Sequence, residues 1–588
     1  MAAEHATRHG DDAPTPAQLS RRALLRLIAG AGAGLVGGAV LAACGGSAAP
    51  PATSAPASGT SGAAGKATPA PLIVSDTSGT PKKGGTLRVG FTEPPSLDPQ
   101  NHSSTATGNL VGMLYDSLLT QDPYTSKYIA GPLTESFDVS QDQKTWTFHL
   151  KHGITFHDGT PFTAQVVKQN YERALDPAAK SQVTGIYLPP KATFDVPDDA
   201  TFVISSPEPY GPMASHLFWD SFFGIYSPPA RAKSGQDYDR HPVGAGPFQF
   251  KEWVAGDHLT LERFDKYAWG APFLKNKGPA YLDSVFVKFI SETNTLISAL
   301  QSGEIDVAYL PNQFYDDFAK DQNFQILTRP SGTLSAFGWN LERWPFTDLK
   351  TRQALMHGFD RQRFLQVMEG GHGQVMYGTI IPALPYYWAG EQTEGPKYDL
   401  AKAKSMLAAA GWKGTDGGGI IEKDGKPFRV TFVGGGTDTN VRWSSLAKDQ
   451  ARALGIDMQV VTLEQAALTA RLNSGDYDCW QFGYATVDPD ILAFFFFASQ
   501  IPKDGKPGLN RSRVNDPQLE ARLTKQRTTL GDARATAVED CVRYMMDQAI
   551  ILPLYSPAQS TVVNKKVHGL IVYPNAADWE LTDTWLAQ

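Results

Sequence analysis

The chain has 588 residues, of which 41% are hydrophobic and 11% aromatic, and its formal net charge is -7 at pH 7, with a sequence isoelectric point near 6.0. This acidic balance argues against a nucleic-acid partner, because such a partner requires clustered basic charge. The length beyond the N-terminal segments, roughly 500 residues, is enough for the cores of two or three domains.

A basic segment followed by an apolar run predicts an export signal over residues 1–44. Residues 20–26 contain paired arginines, and an Ala/Gly/Leu-rich run covers residues 27–43. That run is too short and too rich in glycine for a membrane span. Small residues then precede Cys44, an arrangement that resembles the lipobox of bacterial lipoproteins, whose cysteine takes a diacylglyceryl group and becomes the N-terminus after cleavage. The paired arginines favour the twin-arginine route over the general secretion route, and both remain open.

The next segment, residues 45–82, is dominated by Ala, Pro, Ser, Gly and Thr. Such a composition cannot support a packed core, because it offers too little apolar surface to bury. We therefore predict a disordered linker between the lipid and the body of the protein.

In two stretches of the body, the spacing of the hydrophobic residues indicates secondary structure. The first combines an alternating strand at residues 281–290, a helix at 294–301 that ends before Gly303, and a strand at 305–308, which predicts a parallel unit. The second reads as strand 429–433, helix 441–454, strand 456–461, helix 465–472 and strand 477–482. This βαβαβ succession predicts an open parallel sheet. Ligands of such sheets bind beyond the carboxyl ends of the strands, so residues 483–490 are predicted to line a pocket.

Nine short segments of the body form a recognisable series. In chain order they are residues 84–90 (Gly-Gly-Thr-Leu-Arg-Val-Gly), 95–99 (Pro-Ser-Leu-Asp-Pro), 132–137, 146–150, 153–159 (Gly-Ile-Thr-Phe-His-Asp-Gly), 242–248, 301–306, 352–355 and 410–412 (Ala-Gly-Trp). Together they resemble the extracellular solute-binding proteins of the oligopeptide, dipeptide and nickel family, family 5, which serve ATP-driven importers. The resemblance covers the chain from residue 84 to the C-terminus.

The resemblance implies an α/β fold of the two-lobed periplasmic-binding-protein type II, with a subdomain inserted in lobe one. The implied parts are lobe one at residues 83–119, 224–334 and 553–588, the insert at 120–223, and lobe two at 335–552. Two crossing segments are expected near residues 337–341 and 552–556.

The implied function is that of a substrate-binding lipoprotein of an ATP-binding-cassette (ABC) importer. The protein would capture a peptide-like or other small polar solute between its lobes, and ligand would shift a hinge equilibrium toward the closed form. It would then deliver the solute to the permease subunits. The expected state is a monomer with no cofactor, held by lipid on the outer face of the bacterial cytoplasmic membrane.

Ten residues are candidates for ligand binding. They are Ser96, Leu97, Asp98 and Tyr115 in lobe one, Trp339 and Asn340 in the first crossing, and Trp480, Phe482, Tyr484 and Asp488 in lobe two. Aromatic rings offer large contact area at low entropic cost. The alternative for Trp480 and Phe482 is that they pack beneath helices. Asp488 and Asp490 could suggest paired catalytic carboxylates, but the Asp-Pro-Asp sequence favours a loop-shaping turn.

Two charged anchors of the family's peptide binders are missing. Peptide-binding members carry an aspartate three residues before the Asp-Pro-Asp sequence to hold the peptide's amino terminus, and this chain has Ala485 there. Dipeptide binders also place an arginine for the ligand carboxylate in the loop that corresponds to residues 434–440, which contains no arginine here. A short zwitterionic peptide is therefore disfavoured. A longer peptide held by backbone contacts, or an uncharged ligand such as an oligosaccharide, is favoured.

The sequence gives little support to catalysis or metal binding. It lacks the G-x-S-x-G, H-E-x-x-H and C-x-x-C patterns expected of an exported hydrolase, the main alternative function. A surface adhesin or chaperone on the same fold is a further alternative. His149, His152 and His157 flank a strand end and a turn, so we predict no metal site. Cys479 and Cys541 are favoured as buried free thiols, although an extracellular location would permit a disulfide.

Overall fold

A computed structural model describes residues 73–102, 105–179, 181, 184–503, 505–573 and 579–587. The predicted export signal, Cys44 and residues 45–72 of the predicted linker lie outside the described residues. Within the described part, none of the helices combines the length and the apolar character needed to cross a bilayer.

The strands of the described residues carry the labels used below. They are β1 Ile73–Val74, β2 Thr86–Phe91, β3 Leu119–Gln121, β4 Tyr128–Ala130, β5 Thr134–Val139, β6 Thr145–Leu150, β7 Thr193–Asp198, β8 Thr201–Ser205, β9 Phe248–Val254, β10 His258–Arg263, β11 Ser284–Phe289, β12 Val307–Leu310, β13 Phe324–Pro330, β14 Thr333–Trp339, β15 Gly373–Val375, β16 Glu422–Lys423, β17 Lys426–Pro427, β18 Arg429–Gly435, β19 Asp457–Leu463, β20 Cys479–Ala485, β21 Ile551–Asn564, β22 Val567–His568, β23 Ile571–Val572, β24 Trp579–Glu580 and β25 Trp585–Leu586.

The α-helices follow the same convention. They are α1 Thr105–Gly112, α2 Ala164–Leu175, α3 Thr184–Tyr187, α4 Met213–Leu217, α5 Asp220–Phe223, α6 Pro228–Ser234, α7 Thr293–Ser302, α8 Tyr315–Ala319, α9 Leu349–Gly358, α10 Arg361–Glu369, α11 Glu391–Glu394, α12 Leu400–Ala409, α13 Asp438–Ala453, α14 Gln465–Ser474, α15 Ile491–Phe496, α16 Pro517–Arg527 and α17 Gly531–Asp547.

One 12-stranded sheet runs through both lobes, in the order β19-β18-β20-β14-β21-β12-β2-β11-β10-β9, with β13 and β15 also paired to β21. In lobe one, β11 and β12 both pair in parallel with β2. The predicted parallel unit is therefore confirmed, with β2 between its two strands. In lobe two, β18 pairs in parallel with β19 and β20, which confirms the predicted βαβαβ succession.

Strand β21 belongs to both lobes. Its residues 558–564 pair with β13, and residues 551–555 pair with β14. The chain passes between the lobes at residues 331–332 and 556–557, where the amide of Ser331 donates to the carbonyl of Pro557 at 3.1 Å.

This crossing differs from the predicted one at residues 337–341. Those residues include the end of β14, and the side chains of Phe337 and Trp339 are buried in the lobe-two core. The change of lobe therefore comes before β14, at the break between two extended strands. The other lobe boundaries remain predictions.

The insert has its own four-stranded antiparallel sheet, in the order β5-β6-β8-β7, beside the hairpin β3-β4. Helix α2 packs on that sheet and is capped at its N-terminus by Thr163, whose side chain accepts a hydrogen bond from the amide of Val166. The architecture is thus the predicted two-lobed α/β arrangement with an inserted subdomain.

The end of the predicted linker belongs to the fold. Ile73 and Val74 pair with Val572 and Ile571 of β23, and the amide of Ser75 donates to the carbonyl of Leu570 at 2.8 Å. These apolar residues form a strand because β23 offers them an edge, which composition alone does not reveal. The predicted linker over residues 45–82 is therefore too long at its C-terminal end.

Candidate functional site

A cleft of about 520 Å³ lies at the carboxyl end of the lobe-two sheet, beside the strands that cross between the lobes. This volume is within the usual range of small-ligand sites. The lining residues are Thr333, Leu334, Ser335, Glu369, Gly434, Gly435, Asn440, Leu468, Gln481, Phe482, Gly483, Tyr484, Ala485, Tyr555 and Pro557. The cleft thus lies at the edge of the sheet that the βαβαβ succession predicts, but of the residues 483–490 predicted to line it only residues 483–485 do so.

The cleft opens because β18 and β20 separate. Their parallel pairing ends at Val433 and Trp480, although β18 continues to Gly435 and β20 to Ala485. The opposite edge of β20 is paired with β14 along its whole length. Within the described part of the chain, the edge of residues 481–485 that faces β18 therefore has no strand partner. We call residues 481–485 the unpaired edge.

Side chains along β20 alternate between the two faces of the sheet. Gln481 is half-buried and Gly483 and Ala485 are exposed, whereas the intervening residues are buried. Glycine and alanine project little or nothing beyond the backbone. The unpaired edge is therefore accessible to a ligand that approaches its peptide groups.

Glu369, the last residue of α10, is the only charged residue among those that line the cleft. Its Oε2 accepts a hydrogen bond from Nδ2 of Asn312 at 3.0 Å. Burial raises the pKa of Glu369, against the lowering effects of hydrogen bonds from Asn312 and Tyr555 and of the charge of Arg442. The cleft therefore presents a partly desolvated carboxyl group beside neutral polar side chains.

The predicted lobe-one residues are packed inside that lobe. The Ser96 hydroxyl donates to Asp239 at 2.8 Å, Tyr115 and Tyr238 share a hydroxyl hydrogen bond of 3.2 Å, and Leu97 is fully buried. Asp98 is also fully buried and forms an ion pair with Arg231. The structure satisfies these polar groups internally and does not bring them to the cleft.

The two residues predicted at the first crossing are also internal. The rings of Trp339 and Phe346 stack with centroids 4.9 Å apart, and Nδ2 of Asn340 donates to the carbonyl of Tyr477 at 3.1 Å. Both residues are about 1% exposed, so their side chains support lobe two and do not line its cleft.

The aromatic side chains of β20 point into the core, which is the alternative that the sequence left open. Trp480 covers Gly338, where a Cβ would lie 2.4 Å from the indole ring, and the Tyr484 hydroxyl donates to the carbonyl of Thr379. Phe482 is 4% exposed. Phe482 and Tyr484 nevertheless line the cleft, because their strand segment forms the unpaired edge.

Asp488 lies between lobe two and the insert. It forms a fully buried ion pair with Arg534 and accepts a hydrogen bond from the hydroxyl of Ser215 in α4. Although burial favours the neutral form, Arg534 holds the pKa of Asp488 below its ordinary value. Arg534 also donates to the carbonyl of Gly211 at 2.8 Å. Asp488 therefore joins two parts of the fold.

The Asp-Pro-Asp sequence forms the turn that was predicted. The amide of Asp490 donates to Oδ1 of Asp488 at 2.7 Å, and the Asp490 carboxylate lies 3.2 Å from the guanidinium of Arg527. Burial raises the pKa of Asp490 to about 6. Each carboxyl group has its own arginine, so their arrangement is that of a structural turn.

The remaining predictions concern thiols and metals. Cys479 and Cys541 are both buried and free, as predicted. Among the described residues, no group of three or more His, Cys, Asp or Glu side chains is arranged to hold a metal ion. Nε2 of His149 lies 3.2 Å from Asp138, and Nε2 of His157 bonds the carbonyl of Gly246 at 3.1 Å.

Sequence reasoning missed much of the cleft. No sequence motif includes Glu369, Ser335 or Tyr555. These residues meet in the cleft because α10, β14 and β21 are neighbours in the fold. Gly434 and Gly435 could be found, since they occupy the loop in which the family's arginine was sought.

Residues 129–501 match the family model described as bacterial extracellular solute-binding proteins, family 5 middle. The chain belongs to this family. It is 28% identical over 530 residues to the oligopeptide-binding protein AppA of Bacillus subtilis, covering 87% of this chain and 93% of that one.

Solved structures agree with the fold. AppA of Bacillus subtilis in complex with a nonapeptide has a TM-score of 0.70 at 27% identity, covering 87% of this chain and all of that one. AgaA from A. tumefaciens R10 in complex with agropinic acid has a TM-score of 0.69 at 26% identity, covering 86% of this chain and 99% of that one. The periplasmic-binding-protein fold predicted from the sequence is therefore confirmed.

Proposed function

We propose that this protein is the substrate-binding component of an ABC importer, and that it captures a peptide-like solute in the cleft between its lobes. The observation that carries the proposal is the unpaired edge of β20 within the cleft. An extended peptide can add itself to such an edge through main-chain hydrogen bonds, which do not depend on its sequence.

The chemistry of the edge favours a peptide longer than a dipeptide. Ala485 supplies no charge for a ligand amino terminus, and Gly434 and Gly435 supply none for a ligand carboxylate. Several backbone bonds in a row then supply affinity along the unpaired edge. AppA, whose name and solved complex concern oligopeptides, supports the same ligand class.

We propose binding without catalysis. The lining residues include neither histidine nor cysteine, and the hydroxyl oxygen of Ser335 accepts a hydrogen bond from Nε1 of Trp443 at 3.2 Å. An acyl-transfer site would need a nucleophile next to a general base.

We further propose that the protein is exported and then held by a lipid on Cys44, and that it works as a monomer that delivers solute to permease subunits. The lipobox and the linker-like composition of residues 45–72 support this placement. We keep the predicted lobe boundaries as part of this proposal, with the crossings placed at residues 331–332 and 556–557.

The test is to obstruct the unpaired edge. Ala485→Trp places a large side chain at an exposed position of β20, and we expect affinity for unmodified nonapeptides to fall at least roughly tenfold, because several backbone bonds are lost. Native mass spectrometry of the full chain with a defined nonapeptide mixture measures this effect. Wild type should retain a peptide whose mass is unchanged.

The control for this experiment is Ala401→Trp, which adds the same bulk at an exposed position of α12 away from the cleft. It should bind as wild type does. Equal binding by the Ala485→Trp variant, or a bound peptide that has been cleaved, would overturn the proposal.

A further inference from the structure

The charge of the cleft points to the chemistry of its ligand. We propose that the carboxylate of Glu369 binds an ammonium or guanidinium group of the ligand, so that the protein selects cationic peptides. This inference rests on the proposed function and narrows it. No other residue that lines the cleft carries a charge.

The carboxylate is held at the junction of three structural parts. Asn312, which donates to Glu369 at 3.0 Å, belongs to a short 3-10 turn of lobe one, Asn312–Phe314. Asn312 is itself fixed, since its Nδ2 also donates to the carbonyl of Ala558 at 2.7 Å and its Oδ1 accepts from Ser560 at 3.0 Å. Tyr555 on the crossing strand lies close enough to lower the pKa of Glu369. These contacts orient the carboxylate at the wall of the cleft.

The protein partners of Glu369 are neutral, and this decides what a ligand must supply. Among the described residues, no Lys, Arg or His nitrogen forms an ion pair with Glu369. The charge of Arg442 acts on it from farther away, and Arg442 is exposed and outside the cleft lining. A carboxylate that loses water as a ligand enters needs a cationic partner or a proton. A ligand ammonium or guanidinium group meets that need with a charge-assisted hydrogen bond.

Glu369 could instead serve only to fasten the lobes near the crossing. Glu369→Gln separates the two roles, because glutamine keeps an oxygen that accepts from Asn312 but removes the charge. A purely structural role predicts that this variant keeps the ligand preference of wild type.

The matched control removes a carboxylate at the same end of the sheet. Glu464 is exposed at the N-terminus of α14, next to the glycine loop at Gly436, but it does not line the cleft. Glu464→Gln therefore changes the net charge by the same amount without changing the cleft.

The probes are four peptides based on hexa-alanine. Three are acetylated and amidated at their ends and carry one central Lys, norleucine or Glu. The fourth is hexa-alanine with a free amino terminus. Isothermal titration calorimetry of the full chain gives their affinities. We expect at least one cationic peptide to bind wild type roughly tenfold or more tightly than the norleucine peptide. This difference in affinity is what one charge-assisted hydrogen bond contributes. The Glu peptide should bind more weakly than the norleucine peptide.

The variants then decide the proposal. Glu369→Gln should remove the preference for the cationic peptide, whereas Glu464→Gln should keep it. Preference for the Lys peptide identifies a side chain as the cation, and preference for the free amine identifies the amino terminus. An undiminished preference in Glu369→Gln overturns the inference but leaves peptide capture intact, whereas failure of all peptides to bind wild type overturns the proposed function as well.

Discussion

Burial changes the pKa of the Asp116 carboxyl group. It is buried near Glu580 and accepts a hydrogen bond from Nε1 of Trp269 at 3.0 Å. Burial raises the pKa of Asp116 from the ordinary value of 3.8 to about 8, and the charge of Glu580 adds to the rise. The folded protein therefore holds a proton there at neutral pH.

This proton makes stability depend on pH in a defined direction. Because the folded pKa of Asp116 exceeds the unfolded one, the folded state binds more protons between pH 4 and 8, and stability falls as pH rises through that window. One such group removes up to roughly 1.4 kcal/mol per pH unit. In Asp116→Asn, the urea midpoint should fall less steeply from pH 5 to pH 8 than in wild type. An unchanged slope would contradict the protonation of Asp116.

At the scale of elements, the turn after β20 fastens lobe two to the insert. Asp488 and Arg534 are both buried, at 0% and 1% side-chain exposure, and the insert contributes Ser215 and Gly211. A buried ion pair gains little over apolar packing, but removal of one partner leaves an uncompensated charge.

Arg534→Met should therefore destabilise the protein by about 3–5 kcal/mol, measured as the free energy of unfolding in urea. The double variant Asp488→Leu with Arg534→Met should recover much of that loss, because no buried charge is left. Arg522→Met is the control: Arg522 pairs with Asp540 at 3.2 Å on a partly exposed surface, and we expect a cost below about 1 kcal/mol. A double variant as unstable as the single one would show that the pair itself is required.

The elements of the βαβαβ succession in lobe two could be predicted from the sequence to within a few residues. The helix predicted at residues 441–454 is α13, Asp438–Ala453, and the strand predicted at residues 477–482 is β20, Cys479–Ala485. The period of hydrophobic residues determines these elements locally.

The face that each strand side chain covers could not be predicted in the same way. Phe482 and Tyr484 are buried because residues near Ile380 and helices α15 and α17 cover that face of the sheet. Although α15 follows β20 closely in the chain, Ile380 and α17 lie far from it, so the local pattern alone does not separate an aromatic residue in the core from one in the cleft. The position of Glu369 in the cleft depends on distant contacts for the same reason.

At the scale of the whole molecule, the fold class could be predicted because nine family segments occur in order, and the comparisons confirm it. Strand β21 is shared by both lobes, and its residues 555–557, between the segments that pair with β13 and β14, pair with β15. The insert also touches lobe two, since the amide of Gly211 donates to the carbonyl of Arg527 at 2.8 Å. A swing of lobe one away from lobe two must release this contact.

Capture of a solute then requires that ligand favours the form in which the lobes are close. A ligand that contacts both lobes binds this form more tightly, and a complete shift of population needs a difference of roughly 5 kcal/mol. The peptide added to the unpaired edge would supply contacts to lobe two, and closure would add those to lobe one.

The most direct test is the distance between the lobes with and without peptide. Spin labels at Lys251→Cys in lobe one and Lys448→Cys in lobe two occupy exposed positions, in a chain whose Cys44 is replaced by serine, while the native Cys479 and Cys541 are buried. Double electron–electron resonance should show that a saturating peptide moves the population toward the shorter distance. An identical distance distribution with bound peptide would contradict capture by hinged lobes.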